Sequence, residues 1–477
     1  MGSVAERIET LPEWGIEPVP REHRVLSGID IAVLWGDLGI GLLVLVTGAL
    51  LVPGLGFGAA MLAIVVGSVI GVGLLAIGGA AGAEHGVPTM VLFRPVLGVR
   101  GSWFPSALNA LQLVGWTAVE FWAMSFVADL VSQRLFGFSA RGMWLGIAAA
   151  VCTGLALWGP LGVTRVWMKR FSAWAIVGIC GVLTVIALTS PAIYEAIAEP
   201  GTGGFPTFGA ALDLVIAMPI SWLPLVADYN RFASRPRAAF AGTFSGYLVA
   251  NVWLYALGAV LVLGGGAEPS PAGMAAGVLA IAGGTFAGGL FLFALLVGET
   301  DEAFADMYSG AVTLQNIFPG ASQRALTLAI AAVAAGLAGW LTMERYETFL
   351  FLIGSVFVPL FGILIADHFV RRRRSLDPSD LYRRSGRYWF QNGVRLIAFL
   401  PWLAGFAVYH WIAPTGPEWW TGAVADLVGP PLGLQHPWLA ASAPSFLAAF
   451  LLWLSVPGLY HPERPTRRDG HEDKGEV

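Results

Sequence analysis

A stripe of polar side chains follows one face of the apolar segment SALNALQLVGWTAVEFW (106–122). In a helix, which turns about 100° per residue, Asn109, Gln112, Trp116 and Glu120 lie on the same side. Trp116 and Glu120 are one turn apart, so the ring can stack on a flat heterocycle while the carboxyl group binds its edge. The alternative interpretation is a seam between helices that polar side chains hold together.

A second stripe lies on the segment FALLVGETDEAFADMYSGAVTLQN (293–316), and Asp301 points away from it. Carboxylates this close together cannot all remain ionised at low dielectric, so the stripe favours proton or cation binding. The alternative is an acidic helix end that is wetted at the surface. The stripe consists of Glu299, Glu302, Asp306, Ser309 and Thr313.

Two apolar segments contain interruptions, WGDLGIG (35–41) and MPISWLP (218–224). Interruptions at matching places in two halves of a membrane protein indicate a binding site between inverted repeats. Unwound backbone offers carbonyl oxygens to a cation and helix ends to a substrate.

The composition indicates which kind of secondary structure must position these residues. Hydrophobic residues make up 56% of the 477 residues, charged residues make up 12%, and the mean hydropathy is +0.70. This excludes a soluble enzyme, a nucleic-acid-binding protein and a disordered chain, and it predicts an all-α polytopic membrane protein. Twelve apolar spans are predicted near 30–52, 57–80, 104–132, 142–160, 172–190, 210–228, 239–264, 280–312, 324–341, 346–370, 393–412 and 441–460.

Charge predicts the orientation of these spans. Twelve spans place both termini on one side, and an inside N-terminus puts 24 of the 27 Lys and Arg residues on the cytoplasmic side. The N-terminus lacks the pattern of a cleavable signal. We therefore expect a multi-pass protein of the inner or plasma membrane with cytoplasmic termini.

The acidic residues within the spans have no basic counterparts there, which favours cations over anions as ligands. Asp37, Glu120 and the acids at 299–306 are expected to be functional. Four others are expected at wet span ends: Asp129, Asp213, Asp228 and Asp367.

Three long motifs resemble the nucleobase:cation symporter-1 family, the purine–cytosine permeases and their relatives. They are GVPTMVLFRPVLGVRGSWFPSALNALQLVGW (86–116), SWLPLVADYNRFA (221–233) and GILIADHFVRRRRSLDPSDLYRRSGRYWFQNGV (362–394). The resemblance covers about residues 25–415. The string ETDEAFADMYSGAVTLQN (299–316) is most similar to the branch described as hydroxymethylpyrimidine transporters, next to the cytosine permeases.

The resemblance implies a LeuT-like fold, in which spans 1–5 and 6–10 form a 5+5 inverted repeat with broken helices 1 and 6. Spans 11 and 12 are then peripheral. The predicted organisation is a cytoplasmic tail (1–28), the first repeat (29–190), the second repeat (205–370), a basic cytoplasmic loop (371–392), the peripheral spans (393–460) and a cytoplasmic tail (461–477).

The resemblance also implies site residues. Trp116 and Glu120, together with Ser221, Trp222 and Asp306, match substrate-binding positions, and the two stripes add Gln112 and Glu302. The coupling cation is expected between Asp37, Gly39 and Ile40 on span 1 and Val297, Thr300 and Asp301 on span 8. Thr300 and Asp301 are the candidates for holding sodium.

Two departures from the family pattern bear on substrate and ion. The hydantoin-type pattern has amides where this chain has Glu120 and Asp306. A protonated carboxyl group both donates and accepts hydrogen bonds, as the edge of an aminopyrimidine requires. Asp301 stands where a hydroxyl is expected, which keeps protons open beside sodium.

The resulting hypothesis is a transporter, not an enzyme, that has no cofactor and binds no nucleic acid. It would import a nucleobase or related aminopyrimidine, such as cytosine or hydroxymethylpyrimidine, with Na+ or H+ by alternating access. One alternative is a membrane-embedded, magnesium-dependent prenyltransferase that uses Asp301, Glu302 and Asp306. A passive channel is the other.

Overall fold

The computed structural model describes residues 14–163, 168, 173–189, 191–281, 285–340, 346–384 and 386–456, and these residues are mainly helical. Residues 1–13 of the predicted N-terminal tail and the whole predicted C-terminal tail lie outside the described residues, as do Arg165, Lys169, Arg170 and Arg345 of the charge pattern. The main helices are α1 (Gly28–Asp37), α2 (Leu42–Ala49), α3 (Phe57–His85), α4 (Trp103–Phe136), α5 (Arg141–Trp158), α6 (Ala173–Leu188), α7 (Pro191–Ala198), α8 (Phe208–Trp222), α9 (Val226–Asn230), α10 (Pro236–Gly265), α11 (Pro271–Ile281), α12 (Thr285–Ile317), α13 (Gln323–Ala338), α14 (Tyr346–Ile365), α15 (Phe399–Ile412), α16 (Glu418–Val428) and α17 (Ser442–Ser455).

Among the described residues, six helices are long and apolar enough to cross a membrane, and a seventh span is possible if α1 and α2 count as one. Each of the twelve predicted segments contains a helix. Helices α13, α15 and α17 are shorter than a full span, and α12 carries acidic residues within its 33 residues. The structure thus confirms an all-helical chain with membrane-spanning character, while the count of twelve spans stays a prediction.

The interruption predicted in span 1 is a sharp break. Helix α1 begins with a capping box formed by Ser27 and Asp30, and it ends at Asp37. Helix α2 starts after Gly41 and is bent by 62° relative to α1. Glycine at the break leaves room for the acidic side chains, because a Cβ on Gly41 would displace the carboxyl group of Glu302.

The interruption predicted in span 6 is milder than that in span 1. Helix α8 passes into a 3-10 turn at Leu223–Leu225 and continues as α9, so Phe208–Asn230 forms a single helical span. Pro224 has no N–H and removes one hydrogen bond of the helical ladder, which explains the change of geometry. Span 6 is therefore locally tightened at the predicted position and is not sharply bent.

The packing of the helices brings these interruptions toward the two polar stripes. Helix α4 packs along α12, so the helices that carry the two stripes are neighbours. Helix α10 packs against α1, α2 and α3, while α8 packs against α3 and α14. Helix α17 packs on α14 and α15, on the outer side of this arrangement.

Three acids that were expected at wet span ends are buried, which corrects that prediction. Asp213 accepts hydrogen bonds from the two backbone amides at the start of α17, at 2.6 and 2.9 Å. Asp228 accepts one from the Thr89 amide at 2.9 Å, and Asp367 forms an ion pair with Arg372. The sequence shows their positions near span ends but not the amides and the guanidinium that compensate their burial.

Segments of the three sequence motifs meet at one end of the helix bundle. The Thr89–Asp228 hydrogen bond joins the first motif to the second. Arg372 donates to the Pro95 carbonyl at 2.7 Å and so joins the third motif to the first. Arg94 donates to an amide oxygen in the last turn of α12 at 3.0 Å. These contacts hold the loops around the ends of α3, α9, α12 and α14 together.

Candidate functional site

The polar stripe of α4 is buried against α12 and the 3-10 turn that follows α8. Asn109 donates to the Thr313 hydroxyl at 2.8 Å, which joins the two stripes. Gln112 donates to the Ser221 carbonyl at 3.1 Å, next to the interruption of span 6. The periodicity of the sequence therefore predicted the correct face of α4.

Six of the seven residues predicted to bind substrate line one small cavity. It lies between α4, α8 and α12 and has a free volume of about 10 Å³, which is room for about one water molecule. A heterocycle therefore enters only when these side chains separate. The lining residues are Trp116, Glu120, Met218, Ser221, Trp222, Glu302 and Asp306.

Gln112 is the predicted substrate residue that does not line this cavity. Its amide nitrogen donates to Asn109 Oδ1 at 2.7 Å as well as to the Ser221 carbonyl. The Ser221 hydroxyl in turn donates to the Met218 carbonyl at 2.7 Å. The structure thus places Gln112 behind the cavity wall, where it fixes α4 relative to α8.

Aromatic residues that sequence reasoning missed support Trp116. The Trp116 ring lies 5.0 Å from the ring of Phe349 and 6.1 Å from that of Tyr346, measured between centroids. The Tyr346 hydroxyl lies 3.1 Å from the Thr47 hydroxyl of α2. The start of α14 therefore packs against both α4 and the second half of span 1. Tyr346 and Phe349 stand on either side of Glu347 and Thr348 at the start of α14, where no local pattern marks them, so only tertiary packing reveals this role.

Met218 and Trp222 form the wall on the side of span 6. Met218 is one turn before Trp222 on α8, and this spacing is the only signal in the sequence that could have found it. The Trp222 ring packs edge-on against Trp35 at 6.1 Å, so the wall is anchored on α1. Trp35 in turn donates to Asn230 Oδ1 at 2.8 Å.

Three buried glutamates converge at the break of span 1, and we call Glu120, Glu299 and Glu302 the acid cluster. One carboxylate oxygen from each lies within 4.8 Å of the others. Glu299 also accepts a hydrogen bond from the Leu42 amide, the first amide of α2. Each of the three residues has one buried oxygen without a hydrogen-bond partner. Three negative charges cannot share this space uncompensated, so the geometry suits protons or a small cation.

The carbonyl of Ile40 meets the turn of α12 on which the other predicted cation ligands lie. A Cβ added to Gly298 would be 3.2 Å from Ile40 O, which shows how closely the two backbones approach. The Thr300 hydroxyl donates to the Val297 carbonyl at 2.6 Å, and Asp301 is buried on the same turn. The structure therefore brings together the parts of the predicted site that lie on spans 1 and 8.

The other two predicted cation residues have contacts on the side of α10, and Asp37 also acts electrostatically on Glu302 of the acid cluster. Asp37 lines a separate open cavity of about 1300 Å³ between α1, α6 and α10, and Ile40 reaches its edge. Gly39 packs on α10, where an added Cβ would lie 2.9 Å from that of Ala250. Gly39 thus permits the close approach of span 1 to α10.

Comparison with known proteins agrees with this architecture. Residues 18–430 match the family model described as "Permease for cytosine/purines, uracil, thiamine, allantoin". A hydantoin permease of Microbacterium maritypicum is 25% identical over 461 residues, which cover 91% of this chain and 90% of that protein. The cytosine permease of Escherichia coli K12 is 26% identical over 384 residues, which cover 77% of this chain and 81% of that protein.

A solved structure shows the same fold. It is a nucleobase-cation-symport-1 family transporter in a closed conformation with bromovinylhydantoin bound. The TM-score is 0.79 and the sequence identity is 22%, and the match covers 95% of this chain and 98% of that one. The match to the family model spans most of the chain and includes all three motifs. The chain belongs to the permease family for cytosine and purines, the nucleobase-cation-symport-1 family.

Proposed function

We propose that the chain is a secondary active transporter that imports a nucleobase-like heterocycle together with a cation. One observation carries the proposal: Trp116, Glu120, Trp222 and Asp306, from three different helices, line one buried cavity beside both interrupted spans. Such a site in a membrane permease suits a flat ligand that stacks on indole rings and binds carboxyl groups through its edge.

The carboxyl groups support an amino-bearing substrate such as cytosine or hydroxymethylpyrimidine. Glu120, Glu302 and Asp306 lie at the cavity, whereas Gln112, an amide on the same stripe, is engaged behind its wall. A carboxylate accepts from an exocyclic amino group, and a protonated carboxyl donates to a ring nitrogen. A lactam edge would be better matched by amides.

The coupling cation has two candidate places, and both adjoin the break of span 1. The first is the turn of α12 that holds Val297, Thr300 and Asp301, where Ile40 O approaches the neighbouring Gly298, and its oxygen ligands suit sodium. The second is the acid cluster, which suits protons that move between carboxyl groups. Either place would couple ion binding to the angle between α1 and α2.

The proposal includes the predicted topology. Twelve spans, with residues 29–190 and 205–370 as inverted repeats and 393–460 as peripheral spans, would leave both termini and the 371–392 loop in the cytoplasm. The basic residues of that loop support this orientation.

The test is uptake of radiolabelled cytosine and hydroxymethylpyrimidine, with hydantoin and uracil as competitors, into proteoliposomes under separately imposed sodium and proton gradients. We expect saturable uptake that collapses with one of the two gradients. Uptake that merely equilibrates across the vesicle membrane would contradict the proposal and favour a channel.

Glu120→Gln tests the recognition of the substrate edge in the same vesicles. We expect it to weaken binding of the amino-bearing bases more than binding of the lactams, because the amide loses one acceptor oxygen. Glu195→Gln, which changes an exposed carboxyl group on α7, is the control and should change neither. Equal loss for both ligand classes would refute the edge argument.

The prenyltransferase hypothesis finds no support, since the family model and the relatives described above are permeases.

A further inference from the structure

Two histidines and a glutamate meet away from the cavity, at the junction of α3 and α14, and we call Glu84, His85 and His368 the histidine cluster. Glu84 and His85 are the last two residues of α3. His368 lies on the wide π-helical turn Ala366–Arg371 that follows α14. Helical turns of this kind occur frequently at functional sites. The cluster thus joins two helices that are far apart in the sequence.

The three side chains are close enough to share one ligand. Glu84 Oε2 lies 3.1 Å from His368 Nε2, and the two imidazole rings are 5.3 Å apart between centroids. One potential ligand atom from each residue lies within 4.8 Å of the others. Ligand atoms around a tetrahedral zinc ion with bonds of about 2.0–2.1 Å are about 3.4 Å apart, so the Glu84–His368 pair is already close enough and the other pairs must approach by at most about 1.4 Å.

The surrounding structure holds the backbone on both sides of the cluster. Arg24 donates to the His85 carbonyl at 2.9 Å, and Gly86, with φ of +73°, ends α3 in a left-handed conformation. On the other side, the ion pair between Asp367 and Arg372 fixes the π-helical turn. The ligand atoms therefore approach one another through side-chain rotations alone.

One nitrogen of the cluster lacks a partner. His85 is 8% exposed, and its Nε2 is buried without a hydrogen bond; His368 is 4% exposed. A buried polar atom without a partner is destabilising unless a ligand satisfies it. The Glu84 side chain is 25% exposed, so an ion can reach the cluster from solvent.

Positive charges nearby limit which ions bind. Arg24 acts electrostatically on His85, and Arg374 acts on Glu84, so both repel any cation, and a bound ion must be held by coordination bonds to the three side chains. Two imidazoles and one carboxylate form a donor set that zinc and similar divalent transition metals prefer. Magnesium and calcium prefer oxygen ligands alone.

We propose that Glu84, His85 and His368 bind a divalent transition-metal ion of the zinc class. The ion would clamp the end of α3 to the end of α14. Metal binding at the histidine cluster is independent of the proposed function.

Calorimetric titration of zinc into the full-length protein tests the proposal. The protein should carry no polyhistidine tag and should first be stripped of metal with a chelator. We expect one zinc ion per chain, and at least about tenfold weaker binding in His85→Gln and in His368→Gln, with loss in the double variant. X-ray absorption of the zinc complex should show nitrogen and oxygen ligands, including two imidazoles.

His410→Gln is the matched control, because His410 is also buried with an unpartnered Nε2 but has neither a second histidine nor a carboxylate in a shared group among the described residues. It should bind zinc like the wild type. Thermal unfolding without metal shows whether each variant is folded. No binding to the wild type, or equal binding to the folded His85→Gln and His368→Gln variants, would overturn the proposal whether or not the protein transports a nucleobase.

Discussion

The interruptions of spans 1 and 6 differ in the side chains that bind the backbone there: a carboxylate at span 1 and a neutral amide at span 6. At span 1 the helix bends by 62° and restarts with a buried amide that has no partner within the helix, and the Glu299 carboxylate accepts from that amide. At span 6 the helix stays continuous, and the Gln112 amide donates to the Ser221 carbonyl. The break of span 1 therefore lies beside buried negative charge, whereas the interruption of span 6 is held by neutral groups.

This difference favours different roles for the two interruptions, ion binding at span 1 and substrate binding at span 6. The carboxylate of Glu299 at the start of α2 is stabilised by the helix dipole, and the remaining negative charge of the acid cluster attracts protons or cations. The neutral turn at span 6 presents the Trp222 ring and backbone groups without charge. We therefore expect substitutions near span 1 to change the ion dependence, and substitutions near span 6 to change substrate affinity.

The largest effect is expected from Gly41→Ala. The added methyl group would overlap the Glu302 carboxyl group and come within 3.0 Å of Glu299, so it displaces the acid cluster. Overpacking of this kind costs about 1–3 kcal/mol, and we expect uptake to fall to the level of vesicles without protein.

The matched control for this change is Gly146→Ala, since nothing lies within 4 Å of a Cβ at Gly146. Uptake assays on both variants, with thermal unfolding to show that each is folded, provide the comparison. Normal uptake by a folded Gly41→Ala protein would show that the acid cluster at the break has no part in transport.

An intermediate effect is expected from Trp222→Ala and from Trp116→Ala. Loss of one stacking partner costs about 1–3 kcal/mol, which raises the substrate Kd about 5–150-fold. The dependence of uptake on sodium or pH should stay unchanged. Binding measured at several cation concentrations checks both expectations, with the exposed Trp419→Ala as control. A shifted ion dependence would remove the distinction between the two interruptions.

The smallest effect on transport is expected from Gln112→Leu. It leaves the Ser221 carbonyl and the Asn109 amide oxygen without this donor, which destabilises the fold by about 1–3 kcal/mol. Because Gln112 does not line the cavity, substrate affinity should change less than in Trp222→Ala. Thermal unfolding and binding assays separate the two outcomes. An equal loss of affinity would mean that Gln112 binds substrate directly.

Helical periodicity predicted the face of α4 correctly because it depends only on residue spacing. Asn109, Trp116 and Glu120 are one or two turns apart, and the structure turns all three toward α8 and α12. Periodicity also placed Asp306 on the stripe of α12, whereas the resemblance to the permease family supplied Trp222, which periodicity alone would not select.

The sequence could not distinguish residues that line the cavity from residues that support it. Gln112 and Glu120 lie on the same stripe, yet only the position of the Ser221 carbonyl makes Gln112 a support. Likewise, nothing in the sequence shows that Glu299 meets the Leu42 amide across the bundle. Whether a residue lines the cavity or supports it depends on contacts between distant segments of the chain. The local spacing of residues carries no information about those contacts.

The joining of the three motifs at one end of the bundle has a consequence for protein engineering. Arg372, Thr89 and Asp228 lie in the motifs that identify the family, but their hydrogen bonds connect loops to helix ends. Randomising them would mostly yield poorly expressed proteins. A library aimed at a new substrate should vary Met218, Ser221 and their neighbours around the cavity and leave Arg372, Thr89 and Asp228 unchanged.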